Sequence, residues 1–169
     1  MQEIIVADTS VLINFLRVDR MDLIGRHPAS FVATDHAAAE IEDSDQKRRY
    51  VAAVSMGHLA ECRVEQLDEV RLFARLSRGG RLGSGECSAI AAALKRNYRL
   101  AIDDNCAIKH AREEAERSGH WLSIVRTQDI VVELIRNRVL TVQQADAMLA
   151  DWASNHRFRL KIRSFNELL

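Results

Sequence analysis

Short β-branched runs alternate along the chain with longer segments of helical periodicity. Glu3 to Ala7 (EIIVA) is an apolar run that stops at Asp8-Thr9-Ser10, which predicts a buried strand followed by a helix N-cap cluster. VLINFL then opens a short helix. Ser30 to Thr34 (SFVAT), set between Pro28 and Asp35, predicts a second strand, and from His36 the text is helical: AAAEI leads through a charged stretch into YVAAVSMGHLA. The alternating CRVEQL is a candidate third strand. EVRLFARLSR reads as a helix closed by Gly79-Gly80, and RLGSGECSAIAAALKRN as a helix with small residues along one side. RLAI predicts a strand, NCAIKHAREEAERSG a helix and WLSIVRT a further strand. TQDIVVELIRNRVL and TVQQADAMLADWA predict the last two helices. The tail RFRLKIRSF alternates basic and apolar residues. Drawn out as a strand, it sets Arg157, Arg159, Lys161 and Arg163 on one side and turns Phe158, Leu160 and Ile162 to the core.

Strands alternating with helices predict an α/β domain with a mainly parallel central sheet covered on both faces. At 169 residues the chain reads as one domain, 1–169, long enough to bury a core without staples. Its 24 basic and 24 acidic side chains cancel, so a polyanion would have to be held by a local patch rather than by the whole molecule. Cys62, Cys87 and Cys106 are odd in number and lack CxxC spacing, which predicts a reduced, cytoplasmic chain without a disulfide framework or a zinc motif. MQEIIVADTS lacks the pattern of a signal peptide, and no apolar run is long enough to span a bilayer.

In parallel sheets the reactive groups gather at the carboxyl ends of the strands, near a switch in strand order. The acids standing there are Asp8, Asp35 and the adjacent pair Asp103-Asp104. Two more join them. Glu40 falls a turn and a half into the helix expected after the second strand, among small alanines that let the helix approach the sheet. Glu86 falls in the first turn of the alanine-rich helix, where the helix dipole favours a carboxylate. Converging carboxylates without basic partners repel, and a divalent cation removes that penalty. Oxygen donors point to Mg²⁺ or Mn²⁺ rather than zinc. Such a site suits phosphoryl chemistry, in which the metal polarises a phosphodiester oxygen and activates a bound water.

IIVADTSVLINFL, then Glu40, then GSGECSAIAAAL, then LAIDDN together resemble a PIN domain, most closely the prokaryotic branch that includes the VapC-type toxins of toxin–antitoxin pairs. The resemblance implies a PIN-like three-layer α/β/α fold and a Mg²⁺- or Mn²⁺-dependent endoribonuclease. By position it implies a catalytic, metal-binding quartet of Asp8, Glu40, Glu86 and Asp104. Asp103 would be an extra ligand or outer acceptor, Thr9 or Ser10 would hold Asp8 or a metal-bound water, and Asn105 would assist through its amide. It further implies an RNA substrate, a protein antitoxin and a homodimer. Two positions depart from the family pattern: Ile102 stands where many members carry Thr or Ser, and the helix after Asp104 offers Ile108 and Lys109 where related sequences have an arginine.

The remaining polar residues have plainer readings. Asp35 is expected to cap a helix, and Glu42, Asp43 and Asp45 to be solvated. Glu113, Glu114 and Glu116 have basic helix neighbours and are expected at the surface. No histidines pair at a ligand spacing. Cys87 and Cys106 are expected to be small buried thiols. Arg71, Arg75, Arg78 and Arg81 read either as a solvated helix face or as phosphate contacts, and the basic tail either as RNA-binding or as protection of a sheet edge. Two other functions compete. A catalytically silent PIN-like RNA-binding or regulatory module would not need all four quartet positions to be acidic. A flavodoxin-like signalling domain would leave Glu40 and Glu86 unexplained.

Overall fold

In a computed structural model covering residues 1–169, strand β1 (Ile4–Ala7) forms the centre of the fold, and its Ile5, Val6 and Ala7 are fully buried. It pairs in parallel with β2 (Ser30–Thr34) on one side and β4 (Arg99–Ala101) on the other, in the registers Ile5 with Phe31 and Val6 with Leu100. β3 (Ala60–Cys62) extends the sheet beyond β2 and β5 (Ile124–Val125) beyond β4. The order β3-β2-β1-β4-β5 is all-parallel, and the chain switches direction across the sheet between β1 and β4. A crevice opens at such a point, outside the carboxyl ends of the strands.

Successive strand residues face opposite sides. Ile5, Ala7, Phe31, Ala33 and Ala101 pack into a core shared with α1 (Thr9–Arg17), α2 (Met21–Gly25), α4 (Ser44–Ser55), α8 (Thr127–Arg136) and α9 (Val142–Asn155). Val6, Leu100 and Ile102 pack into a second core with α5 (Leu67–Arg78), α6 (Ser84–Arg96) and α7 (Asn105–Ser118). The result is a three-layer α/β/α domain. α6 is buried through Ala89–Leu94, and its alanines let it lie close against β1, β2 and β4. No helix is long and apolar enough to cross a membrane.

Several elements differ from their expected limits. The third strand overlaps CRVEQL only at Cys62, because Gln66 caps α5: its backbone N–H and that of Glu65 both bond back to the Glu69 carboxylate. The long helix expected from His36 is two. α3 (Asp35–Ala39) ends at Glu40, which is its C-cap, and Asp43 opens α4 by accepting from the Gln46 N–H. Thr34, not Asp35, caps α3, through the Ala37 N–H. WLSIVRT contributes only two strand residues, and Trp121 is 84% exposed before it. The tail is irregular rather than a strand. Its alternation survives all the same: Phe158, Leu160 and Ile162 pack on the first core while the basic residues between them are exposed. It ends in a short 3-10 turn, Phe165–Leu168, with Phe165 wholly buried.

Glu114 is not a surface charge. It is 6% exposed on α7, and Arg75 of α5 and Arg117 hold its carboxylate, at 2.5 and 3.3 Å. Cys87 is buried as expected, but Cys106 is exposed in the first turn of α7. On α5 Glu69 is 0% exposed and receives Arg96 of α6 through two guanidinium nitrogens, Nη2 at 3.0 Å. That fork clamps α5 to α6 and holds the Glu69 carboxyl below the usual carboxylate range.

Glu69→Gln removes the carboxylate charge from beside Arg96, leaving it the Arg63 carbonyl, and is expected to cost about 3 kcal/mol in urea unfolding, since breaking a buried pair strands the partner charge. Because the folded carboxyl titrates below its unfolded value, this contribution is present at neutral pH and lost as the pH falls through the folded value. The stability gap between wild type and Glu69→Gln is therefore expected to narrow in acid.

Candidate functional site

Asp8 follows β1 directly and is the N-cap of α1. One of its oxygens, Oδ2, accepts from the Ser10 hydroxyl at 2.6 Å and from the Ser10 N–H at 3.3 Å. The other, Oδ1, is buried without any hydrogen-bond partner, and the residue is only 2% exposed. Burial pushes its carboxyl above the ordinary range against the pull of the Ser10 hydrogen bonds, and the charge of Glu40 adds to the rise. An unsatisfied buried oxygen on an acid is rare in a native fold and leaves a lone pair for a water or an ion.

Glu40 reaches across from the end of α3. Its Oε2 accepts from the Thr9 hydroxyl at 2.9 Å, and its Oε1 from the Gly85 N–H at 2.7 Å and the Ser84 hydroxyl at 3.1 Å. Thr9 thus supports Glu40, and Ser10 alone supports Asp8. The Glu40 carboxylate satisfies an orphan donor at the start of α6, a place where helices accept an anion. Gly85 is required by this approach. A Cβ there would collide with Glu40 Oε2 and stand 2.7 Å from Thr9 Oγ1.

Glu86, the next residue, turns its Oε2 back to the Gly83 N–H at 3.0 Å. Burial, reinforced by the charges of Asp8, Asp104 and Glu40, pushes its carboxyl above the ordinary range. These influences converge because the four side chains share one end of the sheet. Asp104 is the N-cap of α7, with Oδ1 accepting from the Ala107 N–H at 2.8 Å and the residue exposed.

Asp103 sits differently from its neighbour. Oδ1 accepts from the Thr127 N–H at 2.9 Å, and Oδ2 accepts from the Thr127 hydroxyl at 2.6 Å and from Asn14 Nδ2 at 3.2 Å. Arg126 donates to the Asp103 carbonyl at 3.2 Å and to Asn105 Oδ1, so the Asn105 amide is occupied by an arginine. Asp103 therefore fastens the end of β4 to α1 and to the first turn of α8.

An open groove of about 460 Å³ lies at this end of the sheet, lined by Glu86, Asp103 and Asp104 but not by Asp8 or Glu40. α1 lines it with Ser10, Ile13, Asn14 and Arg17, and Arg157 and Phe158 of the tail complete the lining. Asn14, Thr127, Arg126 and Arg17 were not anticipated from sequence. Ser10, Asn14 and Arg17 fall four and three residues apart, a polar stripe on an otherwise apolar helix, and that spacing was the available signal. Of the arginines before Glu86, Arg75 is engaged by Glu114 and Arg71 by Asp68. A cavity of about 470 Å³ at the opposite end of the sheet, beside His27, His58 and Glu61, contains none of the strand-end acids.

No three Asp, Glu, His or Cys side chains are gathered closely enough to enclose an ion among themselves. The donor set nonetheless fits a hydrated divalent cation. Mg²⁺ keeps several waters and takes only one or two carboxylates. Asp8 Oδ1 is free for that role, as are the second oxygens of Glu86 and Asp104, which accept no protein hydrogen bond.

Gly85→Ala is expected to push Glu40 away from the α6 N-terminus and to cost about 1–3 kcal/mol through overpacking, measurable by thermal and urea unfolding. Wild-type stability in that variant would show that the close approach is not required.

No curated protein matches the chain. A family model described as a PIN domain matches residues 4–169, which takes in β1, every acid of the groove and the tail. The chain belongs to the PIN-domain family.

Proposed function

We propose that the protein is a Mg²⁺- or Mn²⁺-dependent endoribonuclease and the toxin of a toxin–antitoxin pair. PIN domains are commonly nucleases and typically use divalent metals, which supports the reaction class. The observation that carries the reading is the unpartnered, buried Asp8 Oδ1, set among Glu40, Glu86 and Asp104 at the switch between β1 and β4.

In this reading Asp8, Glu86 and Asp104 supply the oxygens that face the cation. Glu40, fixed by Thr9, Ser84 and Gly85, completes the negative field and holds the start of α6 in place. Ser10 orients the Asp8 carboxylate so that Oδ1 points away from its cap. Asp103 sets the position of Asp104 from behind, through Thr127 and Asn14. When bound, the metal polarises a phosphodiester oxygen and lowers the pKa of a water at the scissile phosphate. In this reading a single strand lies in the open groove beside Glu86 and Asp104. A protein antitoxin would close the same groove, and a second copy in a homodimer would cover exposed apolar side chains such as Val51 of α4 or Leu67 of α5.

Purified protein is expected to cleave single-stranded RNA with Mg²⁺ or Mn²⁺ and to stop when the metal is chelated. Asp8→Asn and Asp104→Asn are expected to lower the rate by about 100-fold or more while melting near wild type, since Asn caps a helix as well as Asp. Wild-type cleavage by both variants would show the site to be elsewhere. Neither cleavage nor calorimetric binding of millimolar Mn²⁺ would point instead to a silent RNA-binding or regulatory module.

Produced alone in a bacterial cytoplasm, the wild-type chain is expected to arrest growth and Asp8→Asn to leave it unchanged. Equal growth of the two strains, with cleavage confirmed in vitro, would leave a nuclease but not a toxin.

A further inference from the structure

The tail after α9 is irregular in backbone yet regular in burial, and it begins at the candidate site. Arg157, Arg159, Lys161 and Arg163 are exposed, while Phe158, Leu160 and Ile162 between them pack on the core. Both ends are tied down. Phe158 stacks edge-on against buried Trp152 at 5.3 Å, and its N–H bonds to the Trp152 carbonyl at 3.1 Å. Trp152 in turn donates its indole N–H to the Asn14 carbonyl at 2.7 Å, on the helix that lines the groove. At the far end Asp146 accepts from the Ser164 hydroxyl at 2.7 Å and the Phe165 N–H at 2.8 Å.

None of the four cations forms an ion pair, so no neighbouring carboxylate neutralises them. The acid of the segment, Glu167, accepts from the Arg163 backbone N–H. Arg157 lines the acidic groove beside Arg17, and Lys161 and Arg163 line the next concavity along the same segment. In a chain of zero net charge, four unpaired cations within seven residues form a local field that leads up to the carboxylates. The four cations lie on alternate residues and all are exposed, so the segment presents them to solvent together while the apolar residues between them hold it to the core.

We propose that residues 157–163, with Arg17, form a fixed track for the phosphate backbone of single-stranded RNA and deliver the strand to the groove. This rests on the nuclease reading above and adds to it where the substrate lies and how it is held. Arg157 and Arg17 place a phosphate next to the acids, and Arg159, Lys161 and Arg163 carry the strand away from them. The contacts read backbone charge and not base edges, so the track holds RNA without selecting a sequence. The alternation on a tethered backbone keeps the cations outward before RNA arrives, which lowers the ordering cost of binding.

The test is fluorescence anisotropy of a labelled single-stranded RNA with the full-length protein in EDTA, where binding is read without cleavage. The triple substitution Arg159→Ser, Lys161→Ser, Arg163→Ser is expected to weaken binding by about tenfold or more. The slope of log K against log salt should also fall in magnitude by about 2, as three lost phosphate contacts require. Arg159→Lys with Arg163→Lys keeps the charge and is expected to keep the slope, and thermal melting of each variant shows that the exposed substitutions leave the fold intact. Unchanged affinity and slope in the triple variant overturn the track, even if the protein cleaves RNA. So does tail-dependent binding of an acidic peptide with RNA affinity indifferent to the substitutions, which marks a protein-docking strip. Tail-dependent RNA binding without metal-dependent cleavage upholds the track and overturns the nuclease reading.

Discussion

The candidate site depends on how closely the first turn of α6 approaches α1 and α3. At Gly85 there is no room for a side chain: the backbone N–H meets Glu40, and Thr9 stands on the other side of the same carboxylate. That contact carries Glu86 to the switch point and ties the alanine-rich body of α6 to the sheet. A bulkier helix would sit farther out, and Glu86 would lose both its partial burial and the company of Asp8. The Arg96–Glu69 fork then holds the other end of α6 against α5. Close packing and polar pinning act together, and the position of one carboxylate follows from both.

A helix cap and a metal-facing ligand are compatible roles for one aspartate. Asp8 and Asp104 both cap helices, and each uses one oxygen to do so. The second oxygen is left for something else, buried in Asp8 and solvent-facing in Asp104. Capping fixes the carboxylate's orientation, which a flexible surface acid would lack. The adjacent Asp103 spends both oxygens on Thr127 and Asn14. Two neighbouring like charges are tolerated because one is consumed inside the fold and the other faces the groove.

Much of this was legible before any coordinates. The β-branched runs around Ile5, Phe31 and Leu100 marked the strands, and acids at strand ends marked the crevice, because burial on both faces leaves a parallel sheet few places for charge. What the text concealed depended on tertiary partners. Glu114 looks like any solvated helical acid until Arg75 arrives from another helix. The break after α3 depends on a cap at Asp43 that periodicity does not register. The link from Asp103 to Asn14 spans 89 positions, and no local pattern contains it. Asn14 was visible only as one member of a sparse polar stripe on α1. The tail's alternation was readable, but its irregular backbone was not, since packing on α9 and α1 rather than strand pairing keeps it in place.

The chain has two tryptophans, and the fold puts them in opposite surroundings. Trp121 is almost wholly in solvent, and Trp152 is sealed in the core with its indole nitrogen on the Asn14 backbone. Asn14 bonds Asp103, so the buried indole stands one residue from the network that positions the groove. Its emission is shielded from dissolved quenchers, while that of Trp121 is open to them. The protein thus carries an intrinsic optical probe beside its acids, and an iodide-quenched background would leave that one chromophore to report on what enters the groove.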